Sequence, residues 1–305
     1  MTREPVTERN HHNIVLTGPN RSGTTMSVYL LSQARNTIAL DEPMAPRKLY
    51  RFMPDKEAVC DAIERYYRQT RKKVRTEGKA VSKHIGGEIT AATYGEPDAS
   101  GKRDSLLEKG VVSIDKEVRG GFDLVMKHPG MFTALLPQLK HRFPCYAIIR
   151  NPLSVVASRS SIGKRSGSPA DGKRRPRASR DPAVQRGNSA RMFDEELRRQ
   201  IAPLGAGTIE GKLKMLDWAC EMYRRELPEA NVIRYEDIIE SRGKALSAIV
   251  PAAEELDVPL ESKNLNPLYD RTMMLEVGEK LLRSEGAYWH FYTRESVKDL
   301  LAEIS

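Results

Sequence analysis

The chain has 305 residues, a formal net charge of +9 and 30% charged residues. No apolar run approaches the length of about 18 residues needed to span a membrane, and residues 1–13 are polar and charged, so we expect neither a membrane span nor a signal peptide. The three cysteines are isolated, odd in number and lack metal-ligand spacing, so the sequence indicates neither a disulfide framework nor a zinc site. These features indicate a reducing, cytoplasmic compartment.

A glycine-rich segment follows the first apolar run. Residues 14–17 are typical of a buried strand, a helix-like segment starts at Thr24, and Gly18 to Thr25 connects the two. A loop of this kind points backbone N–H groups and the positive end of a helix at one place, which suits a phosphate or sulfate. The glycines match a Walker A loop, but threonines stand where a nucleotide triphosphatase has Lys-Ser/Thr. Arg21 supplies a cation elsewhere, so we expect an anion other than a γ-phosphate.

This segment resembles the 5'-phosphosulfate loop of the sulfotransferases that use 3'-phosphoadenosine 5'-phosphosulfate (PAPS), which commonly reads P-[RK]-S-G-T-T. Here Asn20 is inserted between the proline and the arginine. The resemblance implies an enzyme that transfers a sulfuryl group from PAPS to a hydroxyl acceptor, releases adenosine 3',5'-bisphosphate (PAP) and needs no metal. It also implies that the donor is bound by the loop residues Arg21, Ser22, Gly23, Thr24 and Thr25.

A carboxylate follows the second predicted strand, residues 37–40, within Asp41-Glu42-Pro43. The carboxyl end of this strand lies at the same sheet edge as the glycine loop. Carbohydrate and tyrosylprotein sulfotransferases, which the Glu-Pro pair resembles, have a glutamate just after this strand that serves as the base. We therefore favour Glu42 as general base and expect a closed pocket to raise its pKa toward the operating range. The alternative is that Asp41 and Glu42 cap the next helix.

Lys127 and His128 follow the strand predicted at residues 122–126. They resemble the K-T-H-x-P of the cytosolic sulfotransferases, in which one residue separates lysine from histidine. Adjacent residues on a strand point to opposite faces, so both cannot enter the site from regular β structure. We assign Lys127 as the cation near the transferring group. His128 is the competing candidate for the base, or else a core histidine.

A second strand-to-helix corner lies at residues 145–158. Residues 145–149 are typical of a buried parallel strand, Asn151 suits an N-cap and Pro152 suits the first helical position. In the resembled family an arginine at the strand end and a serine eight residues later, here Arg150 and Ser158, bind the 3'-phosphate of PAPS. A guanidinium fork beside a hydroxyl is also good chemistry for a phosphate dianion.

Residues 163–191 carry much of the net charge, with nine basic residues against two acidic ones. The segment is rich in Gly, Ser and Pro and lacks apolar periodicity, which predicts a flexible basic insertion. It is either a solvated loop or a cationic lid that attracts an anionic donor or acceptor. Aromatic residues are absent from it, so the base stacking of single-strand recognition is missing and we expect no nucleic-acid partner.

Two other segments bear on the substrates. The excursion from Arg47 to Gly121, with a basic helical stretch at 58–75, is typical of a substrate pocket at the carboxyl end of a parallel sheet. Residues 282–291 loosely resemble the R-K-G-x-x-G-D-W of the cytosolic family, which closes over the 3'-phosphate, and this implies a donor contact by Arg283. The run Tyr235-Glu236-Asp237 resembles the family's V-x-Y-E-D-L and is either a helix cap or a support near the donor.

Strand-like runs at 14–17, 37–40, 122–126, 145–149 and 231–234 alternate with helical stretches. This rhythm predicts one α/β domain over residues 1–305 with a doubly wound parallel sheet. The resemblance to the sulfotransferases implies a P-loop NTPase-like three-layer fold, with a central parallel sheet flanked by helices. The function predicted is sulfuryl transfer to a carbohydrate, lipid or small natural product, with a peptide tyrosine also open. The alternatives are a P-loop kinase-like phosphotransferase and a catalytically silent anion-binding or adaptor protein.

Overall fold

The computed structural model describes residues 11–91, 93–96, 103–161 and 189–304. Within these ranges seven strands form two sheets. Five strands form a parallel sheet in the order β2-β5-β1-β6-β7, and β3 and β4 form an antiparallel pair. The strands are β1 Asn13–Thr17, β2 Thr37–Asp41, β3 Lys79–His84, β4 Glu108–Ser113, β5 Asp123–Lys127, β6 Cys145–Ile149 and β7 Val232–Arg234.

The helices of the described residues lie between and after these strands. The α-helices are α1 Thr24–Gln33, α2 Pro46–Tyr50, α3 Lys56–Glu77, α4 Met131–Ala134, α5 Leu136–Leu139, α6 Pro152–Ser160, α7 Ser189–Phe193, α8 Glu195–Ile201, α9 Ile209–Glu226, α10 Tyr235–Glu240, α11 Arg271–Arg283 and α12 Arg294–Ala302. Short 3-10 helices occupy Glu229–Asn231, Lys244–Ala248, Pro251–Glu255 and Ala287–His290. In the described part of the chain, no helix combines the length and the apolar character that crossing a membrane requires.

The central sheet is buried on both faces, because successive side chains of each strand enter different cores. From β1, Val15 joins a core with α3, α4 and α9, whereas Leu16 joins a second core with α1 and residues 246–256. Helices therefore cover both faces of a parallel sheet. The predicted three-layer α/β fold is confirmed.

All five predicted strands are present within one residue at each end. The helix predicted at 58–75 is α3, with Asp55 as its N-cap. The antiparallel pair of β3 and β4 was not predicted. It packs at the end of β2, where the backbone N–H of Asp41 donates a 3.0 Å hydrogen bond to Ser82 Oγ. Of the basic insertion at 163–191, only residues 189–191 are among those described, so neither interpretation of it is tested.

Candidate active site

The glycine loop between β1 and α1 is packed so closely that its two glycines have no room for a side chain. Gly18 and Gly23 have φ angles of +150° and +91°. A Cβ at Gly18 would lie 2.3 Å from the carbonyl oxygen of Ile148, and one at Gly23 would lie 2.6 Å from the ring of Tyr235. Both positions therefore require glycine, which holds the loop against β6 and α10.

Ser22 and the threonines have different places in this loop. The Ser22 hydroxyl lies 2.7 Å from the carbonyl oxygen of Pro19 and 2.8 Å from that of Ile148, and the Ser22 N–H donates to Pro19. Ser22 thus fixes the loop rather than facing a ligand. Thr24 and Thr25 begin α1, where backbone N–H groups have no intrahelical acceptor and the helix dipole is positive. This end of α1 can bind an anion.

The side chain of Arg21 connects the glycine loop to the second corner. Its Nε donates a 2.9 Å hydrogen bond to Ser158 Oγ on α6, and its carbonyl oxygen accepts a 3.2 Å hydrogen bond from Arg150 Nη1. Arg21 has a φ of +79°, and its guanidinium lies 4.4 Å from the centre of the Tyr94 ring. Burial lowers the pKa of Arg21. The structure thus brings Arg21, Arg150 and Ser158 together.

Arg150 is 5% exposed, yet one of its nitrogens has no hydrogen-bond partner among the described residues. Its Nε donates a 2.7 Å hydrogen bond to Asn264 Oδ1, and its guanidinium stacks 4.6 Å from the centre of the Tyr235 ring. Nη2 is buried without a hydrogen bond to any described residue. An unpaired buried donor on a cation is costly, and an anion at this corner would satisfy it.

Glu236 stabilises this corner through hydrogen bonds to the residues around Arg150. Its Oε1 accepts hydrogen bonds from the backbone N–H of Asn151 at 3.1 Å and from Asn264 Nδ2 at 2.9 Å, and its Oε2 accepts one of 2.6 Å from the Tyr292 hydroxyl. Asn264 in turn orients Arg150. Of the two interpretations of Glu236 offered by the sequence, these contacts favour the support near the corner.

Lys127 lies at the end of β5, and its ammonium is surrounded by three oxygen atoms of neighbouring elements. Its Nζ is 2.8 Å from Asp41 Oδ1 and 3.0 Å from Thr25 Oγ1, and 3.5 Å from Glu42 Oε1. Burial acts to lower the pKa of Lys127, but the carboxylates of Asp41 and Glu42 outweigh it and raise the pKa. Lys127 is therefore a fixed ammonium beside the start of α1.

Glu42 lies in the same network, with a positive φ of +44° and a side chain that is 30% exposed. Its Oε2 pairs at 2.7 Å with Lys83 Nζ, which comes from β3. Burial acts to raise the pKa of this carboxyl, but Lys127 and Lys83 outweigh burial and lower the pKa to about 2. The prediction of a raised pKa was wrong, because two ammonium groups stabilise the charged form more than burial disfavours it.

His128 points away from Lys127 into the core. It is 1% exposed, its Nε2 accepts a 3.0 Å hydrogen bond from the backbone N–H of Met44, and its ring packs edge-on against Phe132. Burial lowers the pKa of His128 to about 3, so the ring is neutral at physiological pH. Nε2, the nitrogen that would take up a proton, already accepts the hydrogen bond from Met44. The structure therefore does not bring His128 into the site as a base.

A cleft of about 650 Å³ opens over the network of Lys127 and Glu42. This volume is in the range of small-molecule and cofactor sites. Five basic side chains and two acidic ones line the cleft, which gives it an excess of positive charge. These are Arg21, Lys83, Lys127, Arg159 and Arg191, together with Glu42 and Asp104.

The structure differs from the sequence prediction in which residues lie at the cleft. Arg283 lies on α11 with a side chain that is 79% exposed and pairs with Glu279, so the structure does not place it at the cleft. Three cleft residues were not assigned from the sequence, namely Lys83 on β3, Arg159 on α6 and Arg191 on α7. Arg159 follows Ser158 directly and was overlooked because only the serine spacing was considered.

No family model matches the sequence, and no curated protein matches it. Three solved structures show a distant similarity. Sulfotransferase STF1 from Mycobacterium tuberculosis H37Rv is 14% identical, with 96% of this chain and 77% of that chain covered and a TM-score of 0.33. The sulfotransferase domain of the Synechococcus PCC 7002 olefin synthase is 12% identical, with 99% and 98% covered and a TM-score of 0.35.

The third is retinol dehydratase, in a complex with androsterone and the inactive cofactor PAP. It is 14% identical, with 96% of this chain and 79% of that chain covered and a TM-score of 0.25. The structural neighbours thus include two sulfotransferases and a protein solved with PAP. Identities and TM-scores this low do not establish a family for this chain, so a functional proposal has to rest on the geometry of the site.

Proposed function

We propose that the protein is a sulfotransferase that transfers a sulfuryl group from PAPS to a hydroxyl acceptor. The observation that carries the proposal is the junction of two anion-binding corners through Arg21. The guanidinium of Arg21 touches Ser158 in the last turn of α6, and the backbone of Arg21 touches Arg150, so the loop before α1 lies directly against the corner between β6 and α6. A nucleotide with anionic groups at both ends of its ribose fits such a pair of corners.

The hydrogen-bonding groups at the two corners suit the two ends of that nucleotide. Arg150, with its unpaired Nη2, and Ser158 would hold the 3'-phosphate, while the backbone N–H groups at the start of α1 would hold the 5'-phosphosulfate. Arg21 lies between them and would contact either end. When bound, PAPS supplies a sulfuryl group activated by its mixed anhydride with phosphate. Sulfuryl transfer needs positioning and charge stabilisation above all, and these residues provide both.

Lys127 and Glu42 have complementary roles in this proposal. Lys127 presents a fixed positive charge at the cleft and stabilises oxygens that gain negative charge during transfer. Glu42, also in the cleft, accepts the proton of the acceptor hydroxyl. Its low pKa makes it a weak base in the free protein but keeps it ionised throughout the physiological range. The hydroxyl becomes acidic as its oxygen bonds to sulfur, so a weak carboxylate base suffices late in the reaction.

A kinase-like activity is less favoured because of where Lys127 lies. In P-loop nucleotide triphosphatases the Ser/Thr after the loop lysine binds Mg²⁺ together with an acidic residue from a neighbouring strand. Here Thr25 and Asp41 are in comparable positions, but Thr25 Oγ1 donates a 3.1 Å hydrogen bond to Asp41 Oδ2, and the ammonium of Lys127 lies within 3.0 Å of both residues. The protein itself therefore supplies a positive charge, that of Lys127, beside Thr25 and Asp41. A silent anion-binding protein would have no need of Glu42 at the cleft.

A transfer assay with labelled PAPS tests the proposal. The purified protein is incubated with PAPS carrying a labelled sulfuryl group and with carbohydrate, lipid, phenolic and peptide-tyrosine hydroxyl acceptors. We expect label in at least one acceptor class and stoichiometric release of PAP. Binding of PAP without transfer to any class would favour the silent anion-binding alternative. Transfer of phosphate from ATP in the presence of Mg²⁺ would favour the kinase.

A further inference from the structure

Two arginines of the cleft have no ion-pair partner among the described residues. Arg159 lies near the end of α6, Arg191 lies on α7, and both line the cleft. Arg191 Nε is buried without a hydrogen-bond partner in the described part of the chain. Burial, and after it the positive charge of Arg191, lowers the pKa of Arg159 to about 10. Two guanidinium groups thus repel each other in one partly buried place.

The position of Arg191 is fixed by the framework of the fold. Ser189 Oγ accepts a 3.1 Å hydrogen bond from the backbone N–H of Met131 and donates one of 3.0 Å to the carbonyl oxygen of Pro129. Phe193, at the other end of α7, is fully buried and packs edge-on against Tyr50. Arg191 is therefore held over the cleft by contacts on both sides.

This arginine pair is separate from the corner assigned to the 3'-phosphate. Arg150 and Ser158 do not line the cleft, whereas Arg159, one residue further along α6, points to a different side of the helix and does. The cleft also has apolar lining beside the pair, from Pro129, Ala206 and Met215. The pair thus belongs to the same cavity as Glu42 and Lys127, where the acceptor has to lie.

We propose that Arg159 and Arg191 bind an anionic group of the acceptor, so that the substrate carries a carboxylate, sulfate or phosphate in addition to the hydroxyl that is sulfated. This inference rests on the proposed function and specifies its substrate class. Guanidinium groups bind such anions through two parallel hydrogen bonds. An anion would satisfy the unpaired Nε of Arg191 and neutralise the repulsion between the two side chains.

Calorimetry on the PAP-saturated protein tests the proposal without requiring turnover. The probes are three phenols with an added anionic group, namely 4-hydroxyphenylacetate, 4-hydroxyphenyl sulfate and 4-hydroxyphenyl phosphate, with neutral 4-hydroxyphenylacetamide as the matched control. We expect at least one anionic probe to bind about tenfold or more tightly than the amide, the ratio typical of one charged hydrogen bond. Arg159→Gln and Arg191→Gln should each remove this preference. Arg199→Gln, an exposed arginine paired with Glu196, should keep it.

The outcomes separate this inference from the proposed function. A wild-type protein that does not bind PAP contradicts the proposed function itself. A protein that binds PAP but shows no preference for any anionic probe, or binds none of them, overturns the inference alone. The inference is also overturned if Arg191→Gln weakens PAP binding tenfold while leaving the preference for anionic probes intact. Arg191 would then bind the nucleotide and not the acceptor. Thermal unfolding of each variant checks that it is folded.

Discussion

Arg21 Nε donates a 2.9 Å hydrogen bond to Ser158 Oγ across 137 positions of sequence. This contact joins the loop that follows β1 to the helix that follows β6, two strands that are neighbours in the central sheet. Tyr235 strengthens the junction, because its ring lies against Gly23 and under the guanidinium of Arg150. Two motifs that are far apart in the chain therefore lie against each other in the fold.

Replacement of Ser158 by alanine tests this junction. The change removes the acceptor for Arg21 Nε and one hydroxyl of the proposed 3'-phosphate site, so we expect the PAP affinity to fall about tenfold. Calorimetry with PAP measures it. Ser160→Ala is the matched control, since Ser160 lies on the same helix but contacts Lys212 instead. Equal PAP affinity in the two variants would show that Ser158 is no part of the donor site.

Glu42→Gln tests the general base. The amide keeps the shape of the side chain but cannot accept the proton, so we expect turnover to fall by about 10²–10⁴, while PAP affinity changes by no more than about twofold. His128→Gln is the comparison, because the structure places that ring in the core. The assignment is wrong if Glu42→Gln retains full turnover and a folded His128→Gln variant loses it.

The pH dependence of turnover follows from the pKa of Glu42. Since the lysines hold this pKa at about 2, Glu42 is already deprotonated well below neutral pH. We expect kcat/KM to show no fall due to the base between about pH 8 and about pH 5. A pH series in buffers of constant ionic strength measures this. An acidic limb with an apparent pKa near 6 that disappears in a still active Glu42→Gln variant would contradict the geometry described above.

The burial of His128 leads to a prediction about how the unfolding free energy depends on pH. Its pKa in the folded protein is about 3, below the ordinary value of 6.5, so the unfolded chain takes up a proton that the native ring does not. Stability is therefore lost as the pH falls below 6.5. Between about pH 7.5 and about pH 5 the wild type should lose about 2 kcal/mol more unfolding free energy than His128→Gln. Urea unfolding at both pH values measures this, and equal losses would refute a neutral buried His128.

The fold and the two corners were predictable because local chemistry determines them. Gly18 and Gly23 have the positive φ angles that a tight anion loop requires. Asn151 caps α6 through a 3.1 Å hydrogen bond from the Leu153 N–H, and Pro152 is the first helical residue, as predicted. The strands at the sheet centre contain continuous apolar runs at residues 14–16, 124–126 and 145–149, and these runs indicate their positions.

The electrostatics of Glu42 were not predictable, because they depend on a distant segment. Lys83 comes from β3, which pairs with β4 across a long intervening stretch, and both strands carry many polar residues without a clear alternation. No local pattern indicates that this hairpin packs at the end of β2. For Arg283 a loose motif match suggested a donor contact, whereas the structure shows an exposed side chain on α11 that pairs with Glu279.

Calorimetry with PAP on the wild type and on Arg150→Ala tests the central claim most directly. We predict that the wild type binds PAP more tightly than ATP with Mg²⁺, and that Arg150→Ala loses about a hundredfold in PAP affinity. Arg234→Ala, which removes an exposed arginine at the end of β7, and Glu42→Gln should both retain it. Equal PAP affinity in Arg150→Ala and the wild type, or tighter binding of ATP with Mg²⁺ than of PAP, would contradict the account.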